Sequence, residues 1–478
     1  MMETKPLKTN EKLIFAWGDV FGGGAQALIG VLYLIFLTDV VGLDPALGAL
    51  AILLSKVWDA ISDPMMGIIS DNTRSKYGRR RPYIFAGGLM VAIVFALMWL
   101  PIGTWGAQWL KLLYAIVTFM LYSTVSTVIS VPYSSLSAEI TTDVKERNSV
   151  NVIRLVVSTV ATAVCTLVPS MILEAYKGGQ ISLALFYLLV AVGFGIFFAL
   201  PLVLIGLHTR ERADIPETKS KFELVTFVKP LRVRAFRGLV YMYLCQSIAM
   251  DILATGIMYY ALYVARGSST VFLGIFIGVQ LIMFPIINKL VNIVDKKKIY
   301  YFGLPLALVA FTGVGVYPSA WPVIGAYALT GLTAIGFAGA QLMSWIIFPD
   351  AVDVGELKFG ERSTGSYSGI MTFIRKTASA IAIQIFGIML AVSGYVKATE
   401  AVPLPAQPAS ALLGIRIAMV GSFVVLMTIA YFAARKFVLT NQNSQTVRNF
   451  LTLRKQKPHE EWSTEEQLAY NELAETLF

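Results

Sequence analysis

Twelve runs of roughly 20 or more mostly apolar residues dominate this 478-residue chain, each long enough to cross a bilayer as a helix. They lie near 13–38, 46–70, 83–102, 111–138, 153–173, 182–207, 238–264, 269–293, 299–317, 320–348, 364–394 and 409–434. In hydrocarbon every backbone N–H and C=O must find its partner inside the segment, so runs of this length fold as helices. The expected class is an all-α membrane protein with twelve transmembrane helices. The first, second and seventh runs carry glycines or ionisable residues, which matter below.

Composition narrows the function. Hydrophobic residues make up 56% and charged residues 14%, against about 25% charged in soluble domains. An ordinary soluble enzyme, a disulfide scaffold and a disordered chain are excluded. The net charge of +10 has a simpler use in membrane topology than in nucleic-acid binding. Cys165 and Cys245 both sit in apolar runs as packing residues, so no disulfide framework is expected. His208 and His459 both lie outside the runs, so proton or cation chemistry inside the membrane falls to carboxylates. With no nucleophile–base set and no metal-ligand spacing, an enzyme is not expected, nor is a cofactor. The implied partners are a small solute and the lipid bilayer, with no nucleic acid and no obligate protein partner.

Lys and Arg set the orientation. An even number of spans puts both termini on one side. That side holds 29 Lys and Arg, the opposite loops hold four (Lys111, Lys177, Arg266, Lys397), and six lie within spans. By the positive-inside rule both termini are cytoplasmic, in a multi-pass protein of the cell membrane. The longest internal polar segment, 208–237, divides the chain into an N-terminal six-helix bundle (1–207) and a C-terminal one (238–436), followed by a cytoplasmic tail (437–478). The basic loop at 71–82 is echoed by Asp295-Lys296-Lys297-Lys298 in the second half. This pseudo-repeat suits a two-bundle transporter with its solute near the midplane, although basic cytoplasmic loops occur in any polytopic protein. In the tail, Ser463 three residues before Glu466 resembles a capping box, and a short helix on a solvated appendage is expected there.

Ionisable groups inside spans cost at least about 2.5–3.5 kcal/mol each, which makes them functional candidates. Asp19 stands in Trp17-Gly18-Asp19-Val20-Phe21-Gly22-Gly23-Gly24, where glycines permit close backbone approach. Asp59 and Asp63, in Trp58-Asp59-Ala60-Ile61-Ser62-Asp63-Pro64, are four apart and share a helix face. Two carboxylates so close repel when both are ionised, so a cation or proton between them is favoured. Their oxygens suit a hard metal ion if that cation is Na+. Pro64 has no N–H, which leaves the Ala60 carbonyl as a spare oxygen. Lys56, three residues before Asp59, either stands in for the cation in an empty state or forms a plain salt bridge with Asp59. Arg154 and the pair Arg375-Lys376 add positive charge in the fifth and eleventh runs. The planar fork of Arg suits hydroxyls or a carboxylate. An interhelical lock is the plainer reading. Tyr133 and Trp345 lie where a solute can stack, though each is also an ordinary core residue. Asp251 has no role assignable from sequence.

Several of these segments carry a family resemblance. Thr38-Asp39-Val40-Val41-Gly42-Leu43, Trp58-Asp59-Ala60-Ile61-Ser62-Asp63-Pro64-Met65-Met66-Gly67 and Thr73-Arg74-Ser75-Lys76-Tyr77-Gly78-Arg79-Arg80-Arg81-Pro82 resemble the glycoside–pentoside–hexuronide:cation symporters of the major facilitator superfamily. Val131-Pro132-Tyr133, Lys145-Glu146-Arg147, Asp350-Ala351-Val352-Asp353-Val354-Gly355-Glu356, Gly360-Glu361-Arg362 and Lys376-Thr377-Ala378-Ser379-Ala380 extend it over about 12–436. The resemblance implies the superfamily fold and symport of a cation, Na+ or H+, with a sugar, glycoside or uronide by alternating access. It implies that Asp59 and Asp63 bind the cation, that Arg154 contacts sugar, and that Thr372 and Lys376 lie near the cation site. Lys56, Arg147 and Arg362 fall to gating and coupling, with the loops 71–82, 139–152 and 350–362 gating the inner side.

Three positions depart from the family's melibiose-carrying type. Its sugar-binding acid in the first helix falls on Gly23, with Asp19 one turn earlier as the substitute. Its fourth-helix acid near the cation falls on Ser130, which removes one negative charge. Its sugar-stacking aromatic falls on Ser134. The last change leaves room for the alternative of a lysolipid or other non-sugar solute on the same fold.

Overall fold

The computed structural model describes residues 7–141, 144–212, 228–291, 293–360, 364–399, 402–457 and 462–478. Among them every regular element is helical, and twelve helices are long and apolar enough to cross a membrane. These are α1 Thr9–Asp39, α2 Pro45–Asn72, α3 Arg81–Met98, α4 Gln108–Ser137, α5 Ser149–Lys177 and α6 Leu183–His208. The second six are α7 Arg234–Ala265, α8 Ser269–Leu290, α9 Lys296–Val316, α10 Ile324–Phe359, α11 Gly365–Val392 and α12 Ala409–Lys436. Two further helices follow, α13 Asn441–Gln456 and α14 Thr464–Leu477.

Two segments expected as gating loops are largely helix. The stretch 350–362 continues α10 through Phe359, and the helix ends at Gly360, whose φ of 82° needs a residue without Cβ. Ala351, Val352 and Val354 are buried there, so packing carries the helix past Pro349. Likewise 139–152 holds helix from Val144 onward, continuous with α5. Charged residues mark where a span leaves the apolar layer, but not where its helix stops.

The chain divides into two compact units. Unit 1 holds residues 1–222 with 254–274 and 380–415, and unit 2 holds 223–253, 275–379 and 416–478. In unit 1 the core is aromatic. Tyr33 of α1 meets Trp99 edge-on at 5.3 Å and Phe119 of α4 at 4.9 Å. At one end of this unit the basic segment after α2 is fastened by acids. Arg79 Nη2 lies 2.6 Å from Glu139, Arg80 pairs with Asp71, and the backbone N–H groups of Arg79 and Arg80 each donate to Glu211 at 2.8 Å.

Unit 2 is built around Phe311, Phe337 and Phe423, with ring separations of 4.5 and 5.6 Å. Its counterpart lock joins Lys296 and Arg448 to the buried Asp350. Arg416 donates to the carbonyls of Gly315 and Tyr317 at 2.7 and 3.0 Å and so satisfies the end of α9.

The tail corrects the expectation of a solvated appendage. The capping box at Ser463 and Glu466 is present, but α14 also buries Leu473 and Leu477. Just before it, buried Trp462 stacks on Phe450 of α13 at 5.4 Å. Lys358 of α10 donates to the carbonyls of Arg232 and Phe478 at 2.7 and 2.9 Å. Glu465, Glu472 and Glu475 stay exposed on this helix, while Glu466, seven residues before Leu473 and on its face, is half-buried. Trp462→Ala is expected to cost about 3 kcal/mol of the tail's local stability, read as faster amide exchange over 464–477 with little change elsewhere. Lys457 and the Ser463 N–H hold the Glu466 carboxyl below its ordinary value of 4.5. Its stabilising effect is therefore present above that value and lost as pH falls through the lower folded value, and the same exchange measurement should follow it.

Candidate functional site

The first cluster forms where α1 departs from regular helix. Val20–Ala25, with three consecutive glycines, makes a π-helical turn, and Asp19 immediately precedes it. Arg154 of α5 donates through Nε to Asp19 Oδ2 at 2.6 Å and through Nη2 to Oδ1 at 3.4 Å. Tyr133 of α4 donates to the same Oδ2 at 2.8 Å, and its ring lies 4.6 Å from the guanidinium carbon. Asp19, Tyr133 and Arg154, separately picked out in the sequence, thus meet in one group. The side chains of Arg154 and Asp19 keep partial exposure, at 19% and 14%, whereas Tyr133 is buried. A carboxylate and a guanidinium held this way can exchange hydrogen bonds with hydroxyl groups, while the buried Tyr133 ring, packed between Phe15 and Arg154, fixes their geometry.

Gly23, by contrast, is a packing position. A Cβ there would stand 3.1 Å from the Ser158 carbonyl oxygen and 3.0 Å from Thr162 Oγ1. The backbones of α1 and α5 approach too closely for an acid at 23, and the acid one turn earlier, Asp19, is the one that reaches Arg154.

The α2 carboxylates face a polar seam on α4. Asp59 is buried and lies 3.6 Å from Lys56 Nζ. Thr127 donates to Asp63 at 2.7 Å and sits 3.2 Å from the Ser62 hydroxyl. Ser130 lies three residues beyond Thr127 on the same helix. Among the described residues no three of His, Cys, Asp and Glu converge as metal ligands. Thr372 and Lys376 stand one turn apart on α11, within unit 2. The Arg147 side chain and Arg362 lie outside the described residues.

Asp251, which has no role assignable from sequence, gains its neighbours in the fold. Arg375 Nη2 approaches its two oxygens at 3.2 and 3.3 Å, and Ser379 donates at 2.5 Å. A signal was available: an acid in the seventh span and a base in the eleventh repeat the arrangement of the first and fifth. Trp345, 59% exposed, meets the Tyr243 ring edge-on at 5.6 Å.

A further charged group of unit 1 was hidden inside a sequence motif. Asp39, at the end of α1, pairs with Lys177 at the end of α5, and both side chains are almost fully buried. Tyr263 and Tyr395 donate to Asp39 at 2.5 and 2.7 Å, and Thr38 donates at 3.0 Å. The charge is thus fully solvated by protein donors. Unit 1 also carries an apolar groove of ≈ 360 Å³ among α1, α5 and α6, lined by Trp17, Val20, Val160, Phe197 and neighbouring apolar residues.

Residues 14–441 match the family described as MFS/sugar transport protein. The chain is 29% identical to a putative sulfoquinovose importer of Salmonella typhimurium, covering 86% of each. It is 25% identical to the sodium-dependent lysophosphatidylcholine symporter 1 of Gallus gallus, covering 81% of this chain and 80% of that one. Its fold is similar to that of the inward-open xylose transporter XylE from E. coli, with a TM-score of 0.62 and 12% identity, covering 90% of this chain and 96% of that one. With twelve spans, a transporter fold and that match, the chain belongs to the MFS/sugar transport protein family, as a glycoside–pentoside–hexuronide-type transporter and not an enzyme.

Proposed function

We propose that this protein is a cation-coupled importer of a sugar, glycoside or uronide, working by alternating access between two six-helix bundles, 1–207 and 238–436, joined by 208–237. The observation that carries this reading is the Asp19–Arg154–Tyr133 group: a charged pair held within membrane spans, partly open, and built from side chains that read polyols. Asp59 and Asp63 take Na+ or H+, with Lys56 relinquishing Asp59 as the ion arrives, and Ser130, Thr372 and Lys376 adjoin that site. Both termini face the cytoplasm, where Lys and Arg concentrate. On this orientation Asp39, Lys177, Tyr263 and Tyr395 form a latch on the outer side, which must part for solute to enter. Arg147 and Arg362 belong to the gating contacts of the inner side.

Purified protein in vesicles is expected to accumulate a labelled member of a glycoside, pentose and uronate panel only under an inward Na+ or H+ gradient. Asp59→Asn with Asp63→Asn should abolish accumulation while downhill exchange persists. Gradient-driven uptake left intact in that double variant would remove the cation assignment. Arg154→Lys keeps the charge but loses the fork. It should weaken solute binding by about 2 kcal/mol, a roughly thirtyfold rise in KM.

The latch makes a separate prediction. Asp39→Asn leaves Lys177 without its countercharge and should favour the outward-open state. With Cys165 and Cys245 replaced by alanine, a cysteine at the buried position Thr255 should then react with a membrane-impermeant maleimide added outside, about tenfold faster than in the Asp39 parent. Equal rates would remove the latch.

A second reading has the apolar groove behind it. The groove is lined by Val20, the residue after Asp19, and by Val156 and Val157, two and three residues after Arg154, so it suits an amphiphile with its acyl chain in the groove and its polar head towards the charged pair. Uptake of a labelled lysophospholipid, with no response to any sugar, would favour it.

A further inference from the structure

We infer that unit 2 carries a solute-contacting site of its own, with Asp251 and Arg375 reading the hydroxyl groups of a neutral sugar ring. The inference rests on the reading of the protein as a sugar importer and adds a specificity-determining site to it.

Three helices of unit 2 contribute. On α7, Tyr243 and Asp251 are eight residues apart and share a face. On α11, Arg375 and Ser379 are four apart, and both reach Asp251. On α10, Gln341 and Trp345 are again four apart, and Trp345 meets the Tyr243 ring at 5.6 Å. The contacts from Asp251 and Tyr243 therefore bring the α10 and α11 faces to α7.

The chemistry of this group exceeds what helix packing needs. A buried structural pair is shielded on all sides, as Asp39 and Lys177 are, at 0% and 1% exposure. Asp251 and Arg375 instead keep 24% and 31% of their side-chain surface. Arg375 reaches Asp251 through Nη2, and its Nε and Nη1 donate to nothing else among the described residues. Spare guanidinium donors, a carboxylate acceptor and an accessible indole are the components that bind vicinal hydroxyls and the C–H face of a pyranose.

The charge balance selects the ligand class. Asp251 already neutralises Arg375, so an anionic substituent would meet a carboxylate at close range. Neutral hydroxyls can accept from Arg375 and donate to Asp251 together. Within the family's range of solutes the site favours an uncharged ring over a uronate or sulfonate. The pair also repeats, on the seventh and eleventh spans, the Asp19–Arg154 pair of the first and fifth, as an internal repeat allows.

The test uses the full-length protein in vesicles, with Asp251→Asn, Arg375→Gln, the two combined, and Trp345→Ala. Uptake KM and maximal rate are measured on the solute panel, and thermal unfolding of each variant is followed in detergent. Both single variants and the combination should raise KM for the transported neutral sugar tenfold or more, with maximal rate changed less than threefold. Trp345→Ala should raise it in the same direction. Pairing alone predicts otherwise: single variants that unfold early, and a neutral double variant that regains wild-type Tm and KM. That second pattern, or KM unchanged in all variants, overturns the inference while leaving the sugar-importer reading intact. A lower KM for a uronate than for its neutral parent sugar in the unaltered protein overturns the ligand class. If the unaltered protein takes up no sugar, both readings fall.

Discussion

An ion in hydrocarbon must bring its countercharge with it, and that constraint organises the interior of this protein. Each intramembrane acid described above meets a base or hydroxyl donor within its own unit: Asp19 with Arg154, Asp59 with Lys56, Asp63 with Thr127, Asp39 with Lys177, and Asp251 with Arg375. Desolvation penalises each ion by several kcal/mol, so such pairs are poor sources of net stability. What such pairs allow is the storage of charge inside an apolar layer, where either member can exchange its partner for another donor or acceptor that reaches it.

The same pairing serves two different ends, separated by accessibility. Where a pair keeps part of its surface, as at Asp19 and Arg154, incoming hydroxyls can compete for its donors. Where donors enclose the carboxylate completely, as three hydroxyls and an ammonium do at Asp39, competition is shut out and the group acts as a fastening. Side-chain identity is nearly the same in both; the surrounding packing decides the role. Tyrosine is suited to the enclosed case, since its ring fills apolar space while its hydroxyl supplies a strong donor.

The spans were legible in the sequence because hydrocarbon thickness imposes one length scale on all of them. The candidate residues were legible for a related reason, since a charge in an apolar run has no competing explanation in composition. What escaped was partnership. Asp251 looked solitary because Arg375 lies 124 residues away, and no periodicity links positions on different helices. Asp39 was read as part of a motif at a span end, where charges are cheap, yet the fold encloses it. The tail was misread because its polar composition hid a narrow apolar stripe, where Leu473 and Leu477, with Trp462 just before the helix, are buried. The helical continuation through 350–359 was missed because hydropathy reports the bilayer and says nothing of the helix beyond it.

The enclosure of Asp39 also governs how its contact can be broken. As the tyrosines withdraw, the carboxylate and the Lys177 ammonium lose their donors, and only water can replace them. A gap narrower than a water molecule would leave both ions dry and alone, the most expensive arrangement open to them. The contact is therefore either closed and dry or parted and wet, with no stable crevice between. Wetting becomes all-or-none, and a contact that behaves this way has no half-open state through which ions can leak.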